Sequence, residues 1–206
     1  GIPGKEDDTV VILFTSGSEK DPKAVQLTHR NLSSNIRDVI EVMGLGSDDI
    51  ILSILPLFHV FGFTTNFWLP MVTGMTAVSN ANPLEYKKIP SIVREEGVTM
   101  IAGTPIFFGG YLRESKPGDF KSVRLMVPGA DKTPEWLRDG FRKKHNIELL
   151  EGYGTTETSP VISVNTPGEK GDGLILRDDD GNPLVWDLEK EDWVNGLDPE
   201  VKPALV

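Results

Sequence analysis

The stretch Thr15-Ser16-Gly17-Ser18-Glu19, followed by Pro22-Lys23, gathers residue types that a polyphosphate needs. Gly17 lets the backbone come close to a bulky anion. Thr15, Ser16 and Ser18 bring hydroxyls, and exposed backbone amides there could line an anion-binding nest. Lys23 adds a mobile positive charge, and Pro22 restricts the chain just before it. By composition alone the same stretch also reads as a solvated turn. A second cluster, Glu151-Gly152-Tyr153-Gly154-Thr155-Thr156-Glu157, lies some 140 positions later. Gly152 and Gly154 leave the Tyr153 ring open on both sides, so it could stack on a planar base. Thr155 and Thr156 offer hydroxyls, and Glu157 a carboxylate that could hold magnesium beside phosphates. A turn anchored by Tyr153, with Glu157 opening a helix, fits the same residues. Two such clusters at strand ends of one sheet favour the phosphate chemistry.

Several other chemistries are excluded. The loop G-x-x-x-x-G-K-[ST] occurs nowhere, and Gly44-Leu45-Gly46 is followed by Ser47, Asp48 and Asp49 rather than by the rest of a dinucleotide fingerprint. There is no cysteine, which removes disulfides, zinc-thiolate sites and thiol nucleophiles, and suits a reducing, cytoplasmic setting. His29, His59 and His145 are too far apart in sequence to form a paired metal motif. A net charge of −10 makes a nucleic-acid partner improbable, because phosphate backbones recruit basic surfaces. The apolar stretch 58–72 is interrupted by His59, Gly62, Thr64, Thr65, Asn66 and Pro70, so it reads as core and not as a transmembrane segment.

The elements that must position these residues alternate. Thr9–Phe14 reads as a buried strand. A helix starts at about Thr28, which can cap it. It carries Leu32, Ile36, Val39, Ile40 and Met43 on one face and stops at Gly44 and Gly46. Strands follow at 50–55, 75–78, 98–102, 123–127 and 148–151. Helices fall at 61–72, 83–96 (with Pro90 near its start), 105–113 and from Thr133-Pro134-Glu135 to His145, with Thr133 as the expected cap. Strands apolar on both faces, alternating with helices, specify an α/β fold: a mostly parallel sheet with helices on both faces and right-handed crossovers. Ligands bind beyond the carboxyl ends of such strands, where residues 15–23 and 152–157 are expected. Residues 1–167 form the expected nucleotide- and acyl-binding core. Residues 168–206 form an acidic, irregular tail with a hairpin about Asp180-Gly181.

The residues in these two clusters are familiar as a set. Thr15-Ser16-Gly17-Ser18-Glu19 with Pro22-Lys23-Ala24-Val25, then Thr28-His29-Arg30-Asn31, resembles the phosphate-loop signature of the adenylate-forming superfamily of acyl-CoA synthetases, luciferases and peptide-synthetase adenylation domains. Tyr153-Gly154-Thr155-Thr156-Glu157 resembles its adenine-and-magnesium motif. Pro56-Leu57-Phe58-His59 with Gly62 is similar to its acyl-pocket segment, and Gly129-Ala130-Asp131 to the turn that touches the adenine and acyl ends. The match covers roughly residues 9–167. Lys20-Asp21 with Ala24 stands where many members carry glycines, and resembles bacterial acyl-acyl-carrier-protein synthetases, including those joined to a lysophospholipid acyltransferase.

The resemblance implies ATP and magnesium (Mg2+) as cofactors, and activation of a carboxylic, expectedly fatty, acid to an acyl-adenylate. A thiol on coenzyme A or acyl-carrier protein then accepts the acyl group, and the parent enzyme could associate peripherally with a membrane. It gives Thr15, Ser16, Gly17, Ser18 and Lys23 to the β/γ-phosphates and Tyr153 to adenine, flanked by Gly152, Gly154 and Thr155. It gives Thr156 to the α-phosphate, Glu157 to magnesium, and Gly129, Ala130 and Asp131 to the nucleotide–acyl junction. His59 would border the reacting carboxylate, although a hydrogen-bonded histidine in a helix-start loop fits it too. Leu, Phe and Trp at 57–69 could line an apolar tunnel or belong to the core. The family's ribose-binding aspartate, hinge and lysine-bearing small domain are not evident here; Trp193–Asp198 only faintly echoes the ribose segment. The chain is therefore expected to be a fragment or a shortened member, and the alternative is a non-catalytic binding or scaffold module.

Overall fold

The computed structural model describes residues 4–15, 23–166, 172–174, 184–187 and 192–195. The first two strands, β1 (Thr9–Phe14) and β2 (Ala24–Thr28), form an antiparallel hairpin. The sequence reading of β1 as a buried parallel strand is therefore corrected. Leu13 is buried and Val10 and Val11 pack partly against the core, while Ile12 and Phe14 are 52% and 68% exposed. The hairpin's open end is closed by Thr15 and Lys23: the Thr15 amide donates to the Lys23 carbonyl at 3.0 Å, and the Lys23 amide to the Thr15 hydroxyl at 3.3 Å. Thr15 and Lys23 thus stand at the end of an antiparallel hairpin and not at the end of a parallel strand.

Helix α1 (His29–Met43) follows at once, capped as expected. The Asn31 amide donates to the Thr28 hydroxyl, the Thr28 amide returns a bond to Asn31 Oδ1, and Gly44 ends the helix at φ 58°. A left-handed C-cap of this kind favours glycine. Strand β3 (Ile50–Ser53) leads through Pro56 into α2 (Val60–Gly62), a π-helical stretch (Phe63–Trp68) and α3 (Leu69–Thr73). Then come β4 (Thr76–Ser79), α4 (Lys88–Glu96), β5 (Met100–Gly103), α5 (Pro105–Glu114), β6 (Leu125–Pro128) and α6 (Glu135–His145). Pro90 is tolerated because it falls in the first turn of α4, where its missing N–H has no intrahelical partner to lose. Thr133 is not the cap of α6: Pro134 holds that place, and the buried Thr133 hydroxyl makes no hydrogen bond.

The central sheet has the order β4-β3-β5-β6, and its three pairings are all parallel. Leu149 adds a single parallel bridge to Met126 where a full strand at 148–151 is predicted. Alternating residues serve opposite faces, which is why these strands read as unbroken apolar runs. Ile51, Met100, Leu125 and Val127 pack under α1 with Leu32, Ile36, Val39 and Met43. Leu52, Ile101 and Met126 pack on the other face with Ile89, Val93, Phe108, Tyr111, Leu137 and Phe141.

A second, antiparallel sheet runs β7 (Gly152–Gly154), β8 (Val161–Asn165) and β9 (Asp172–Leu174). In the tail, β10 (Leu184–Asp187) pairs antiparallel with β11 (Asp192–Asn195) as a short hairpin. The turn expected about Asp180-Gly181 lies outside the described residues. No helix among the described residues is long and apolar enough to cross a membrane.

One ionic lock joins the elements at the amino-terminal edge of the parallel sheet. Arg124 Nε and Nη2 donate to Asp49 Oδ1 and Oδ2 at 2.8 and 2.6 Å, a bidentate pair. The same guanidinium reaches the carbonyls of Met43 at 3.3 Å and Gly44 at 2.9 Å. Thr99 donates to Asp49 Oδ1 at 2.8 Å and accepts from the Ile50 amide at 2.9 Å. The hydrogen bonds from Arg124 hold the Asp49 carboxyl below the usual carboxylate range, against burial, which works the other way. A carboxylate with a depressed native pKa adds stability above its unfolded pKa of about 3.9, and that stability is lost as pH falls through the native value. Asp49→Ala is expected to lower the unfolding free energy by about 1–3 kcal/mol in urea titrations at neutral pH. It should also flatten the acid limb of a melting-temperature profile below about pH 4. An acid limb identical to that of the unsubstituted chain would refute the assignment.

Candidate active site

The order of the central sheet fixes where a crevice can open. From β3 the chain goes first to β4 on one side, then returns to β5 on the other side of β3. Connections that leave in opposite directions separate at the carboxyl ends of β3 and β5 and leave a gap there. A cavity of about 540 Å³ fills that gap. Leu55 and Pro56 from the end of β3, Thr104 from β5 and Gly129 from β6 contribute to its walls.

The sequence-predicted residues meet here to a large extent. His59, Gly129, Ala130, Gly152, Tyr153, Gly154, Thr155 and Thr156 all line this one cavity. Asp131 and Glu157 do not; each is exposed beside a lining residue. Thr15 and Lys23 sit at the hairpin end, and Ser16, Gly17 and Ser18 lie outside the described residues. Strand β2 packs against the 3-10 turn Thr156–Thr158, so the hairpin and the second cluster are neighbours. Of the apolar residues at 57–69, Val60 and Phe61 reach the cavity. Trp68 and Leu69 pack in the core instead, and Leu57, Phe58 and Phe67 are exposed.

Close backbone approach shapes the walls. A Cβ on Gly154 would stand 1.9 Å from the Pro160 carbonyl oxygen, and one on Gly62 would stand 2.3 Å from that of Pro56. Only glycine fits either place. Tyr153, held between two glycines of β7, is 54% exposed at the cavity mouth. Thr155 and Thr158 bond reciprocally across the 3-10 turn, leaving Thr156 between them to face the cavity. His59 starts α2 in an extended conformation without a side-chain cap bond, its ring 4.5 Å from that of Phe58. Ala130 has a left-handed φ of 67°, which turns the chain sharply at the rim.

Two further residues brace this rim. Asn35, buried on the apolar face of α1, donates to the Val161 carbonyl at 2.7 Å and accepts from the Val161 amide at 3.2 Å. That pair fixes β8, and through it β7, against α1. Glu151 accepts from the Thr133 amide at 2.8 Å and from Arg138 Nη2, tying the 129–134 loop to β7. An asparagine within a helix's apolar stripe is a sequence signal for such a clamp. Glu151 carries no signal beyond its place before Gly152.

Glu151→Ala is expected to leave the Thr133 amide without its acceptor, lowering the unfolding free energy by about 1–3 kcal/mol. Hydrogen exchange at the Thr133 amide should accelerate while exchange in β5 stays unchanged. Equal protection at Thr133 in both proteins would show that Glu151 does not hold the loop.

Comparison with known proteins gives the family and the fold. Residues 2–180 match the family described as AMP-binding enzyme. A long-chain-fatty-acid–CoA ligase of Yersinia pestis is 31% identical over 209 residues, which take in 92% of this chain and 36% of that ligase. The chain thus spans about a third of the length of this relative. Among solved structures, o-succinylbenzoate coenzyme A synthetase (MenE) of Bacillus subtilis, in complex with ATP and magnesium ion, superposes with a TM-score of 0.73 at 27% identity, over 79% of this chain and 34% of that one. Apo MatB from Rhodopseudomonas palustris shares the fold at a TM-score of 0.76 and 23% identity, over 82% of this chain and 33% of its own. On the match over residues 2–180, the chain belongs to the AMP-binding enzyme family.

Proposed function

We propose that the protein activates a fatty acid with ATP, forming an acyl-adenylate and pyrophosphate, with coenzyme A as the acceptor in the step that follows. The carrying observation is the single cavity that joins a glycine-flanked tyrosine and two threonines to an apolar interior at the strand-order reversal. The residues present suit a nucleotide. Tyr153 is exposed at the cavity mouth, Gly154 lets the backbone beside it pack on Pro160, and Thr156 turns toward the cavity. They suit magnesium in one way only. Among the described residues no group of three histidines or carboxylates could hold a metal. The exposed Glu157 would therefore share the ion with phosphate oxygens, the usual manner for magnesium. The relatives named as fatty-acid–CoA ligases support the acid and the acceptor.

In this reading a carboxylate oxygen attacks the α-phosphorus in line with the departing pyrophosphate. Charge shifts onto phosphate oxygens, so cations and donors matter more than a general base. Tyr153 would stack on the adenine, and Thr156 would donate to the α-phosphate. Lys23, with Thr15, Ser16, Gly17 and Ser18, would receive the β- and γ-phosphates. Gly129, Ala130 and Asp131 would form the junction between nucleotide and acyl group, with His59 beside the carboxylate. Bound magnesium would supply neutralising charge to the phosphates. The apolar inner walls would exclude water from the acyl end.

The test is fatty-acid-dependent exchange of pyrophosphate into ATP. Lys23→Ala and Glu157→Ala should each reduce the exchange rate by about a hundredfold or more, with unchanged melting temperature. Chelation of magnesium should abolish exchange. Exchange that is untouched by both substitutions would defeat the assignment; tight ATP binding with no exchange in the unsubstituted protein would favour a binding module.

A further inference from the structure

The cavity does not stop at the nucleotide end. It continues down the face of the sheet covered by α1, where Val39, Met43, Met100, Ala102 and Val164 line it. Strand direction gives its depth. Thr104 and Gly129 mark the carboxyl ends of β5 and β6, whereas Met100 is the first residue of β5. Met43 is the last residue of α1, and α1 lies on the same sheet face as Met100. Met100 and Ala102 share one side of the strand, and the short Ala102 side chain leaves the space that Met100 closes. Both methionines are nearly fully buried, at 5% and 3% exposure.

Behind them stands the ionic lock. Thr99, next to Met100, bonds Asp49, and the Met43 carbonyl accepts from Arg124 at 3.3 Å. An alkyl chain pushed further would have to part the half-exposed Arg124 from the buried carboxylate of Asp49, leaving that carboxylate without its bidentate donor, which is unfavourable. The end of the cavity is therefore closed chemically as well as sterically. From Thr104 to Met100 the strand covers about 13 Å at roughly 3.3 Å per residue. An extended chain advances about 1.2 Å per backbone bond, so the channel holds roughly ten carbons.

Resting on the acyl-activation reading, we propose that Met43 and Met100 are the specificity-determining floor of this channel. They limit the substrate to straight-chain carboxylates of about ten carbons. Their unbranched thioethers seal an irregular gap between helix and strand that branched side chains would fill less completely.

Calorimetric titration of the full chain with straight-chain carboxylates of four to sixteen carbons tests this, with AMP titrated separately as a control. In the unsubstituted protein, affinity should rise about three- to fourfold per added carbon up to roughly ten, then stop rising. Met43→Ala and Met100→Ala should each move that break to longer acids by about two carbons, and Met100→Phe should move it to shorter ones, all with AMP affinity unchanged. Met43→Ala only removes atoms and keeps the test open if Met100→Phe does not fold. A break unmoved by either alanine substitution, or affinity still rising at sixteen carbons in the unsubstituted protein, would overturn the floor while AMP binding left the nucleotide reading intact. Folded protein that binds neither AMP nor any of the acids would overturn both.

Discussion

The site depends on one topological constraint: β3 has its successor β4 on one side and β5 on the other. A parallel sheet must be covered on both faces, so the two crossovers separate. The segment 60–73 packs on the face of α1, and α4 packs on the opposite face. Their paths diverge above the strand ends, and nothing in the backbone ladder can close the space between them. Glycines then let the backbone of its walls pack closely. At Gly62 and Gly154 a side chain would overlap a neighbouring carbonyl, and at Gly129 a Cβ would meet the Phe61 ring at 3.0 Å. The cavity is a consequence of connectivity, and these glycines are the local condition that lets its wall segments meet.

Legibility in the sequence follows burial. Strands β3, β5 and β6, buried on both faces, are readable as continuous apolar runs, and their helices as stripes at three- and four-residue spacing. Helix α1 is readable to its caps because Thr28, Asn31 and Gly44 act through backbone geometry within a few residues. The reading fails where the apolar pattern and the environment part company. Val10–Phe14 is as apolar as β3, yet it forms a hairpin with Ile12 and Phe14 exposed. Its partner β2, with glutamine and threonine in five residues, carries little strand signal of its own. Strand β7 is hidden for another reason: it is Gly-Tyr-Gly, poor strand material stabilised by its neighbours.

Within the site, chemistry-bearing side chains are legible and their supports are not. Tyr153, Thr155 and Thr156 stand out because glycines and hydroxyls crowd a short stretch. Asn35 is separated from Val161 by 126 positions, and its role exists only once α1 lies beside β8. Met43 and Met100 are likewise ordinary core residues in sequence; only the direction of β5 and the length of α1 bring them to the same depth.

The two ends of the cavity differ in how their polar groups are satisfied, and that difference decides where chemistry can occur. At the amino-terminal end Asp49 accepts from Arg124, Thr99 and the Gly46 amide, and Arg124 spends its remaining reach on two helix-end carbonyls. A charge matched this fully has no capacity left for a ligand and serves to hold elements in register. At the carboxyl-terminal end Tyr153 and His59 are exposed, and Thr156 faces open volume. Tyr153 and Thr156 are held by the pairing of β7 with β8, by Asn35 through β8 and by the bonds of the 3-10 turn. In the proposed activation of an acid, their donors would meet developing charge without first breaking internal bonds, which is the condition for electrostatic stabilisation in a preorganised site.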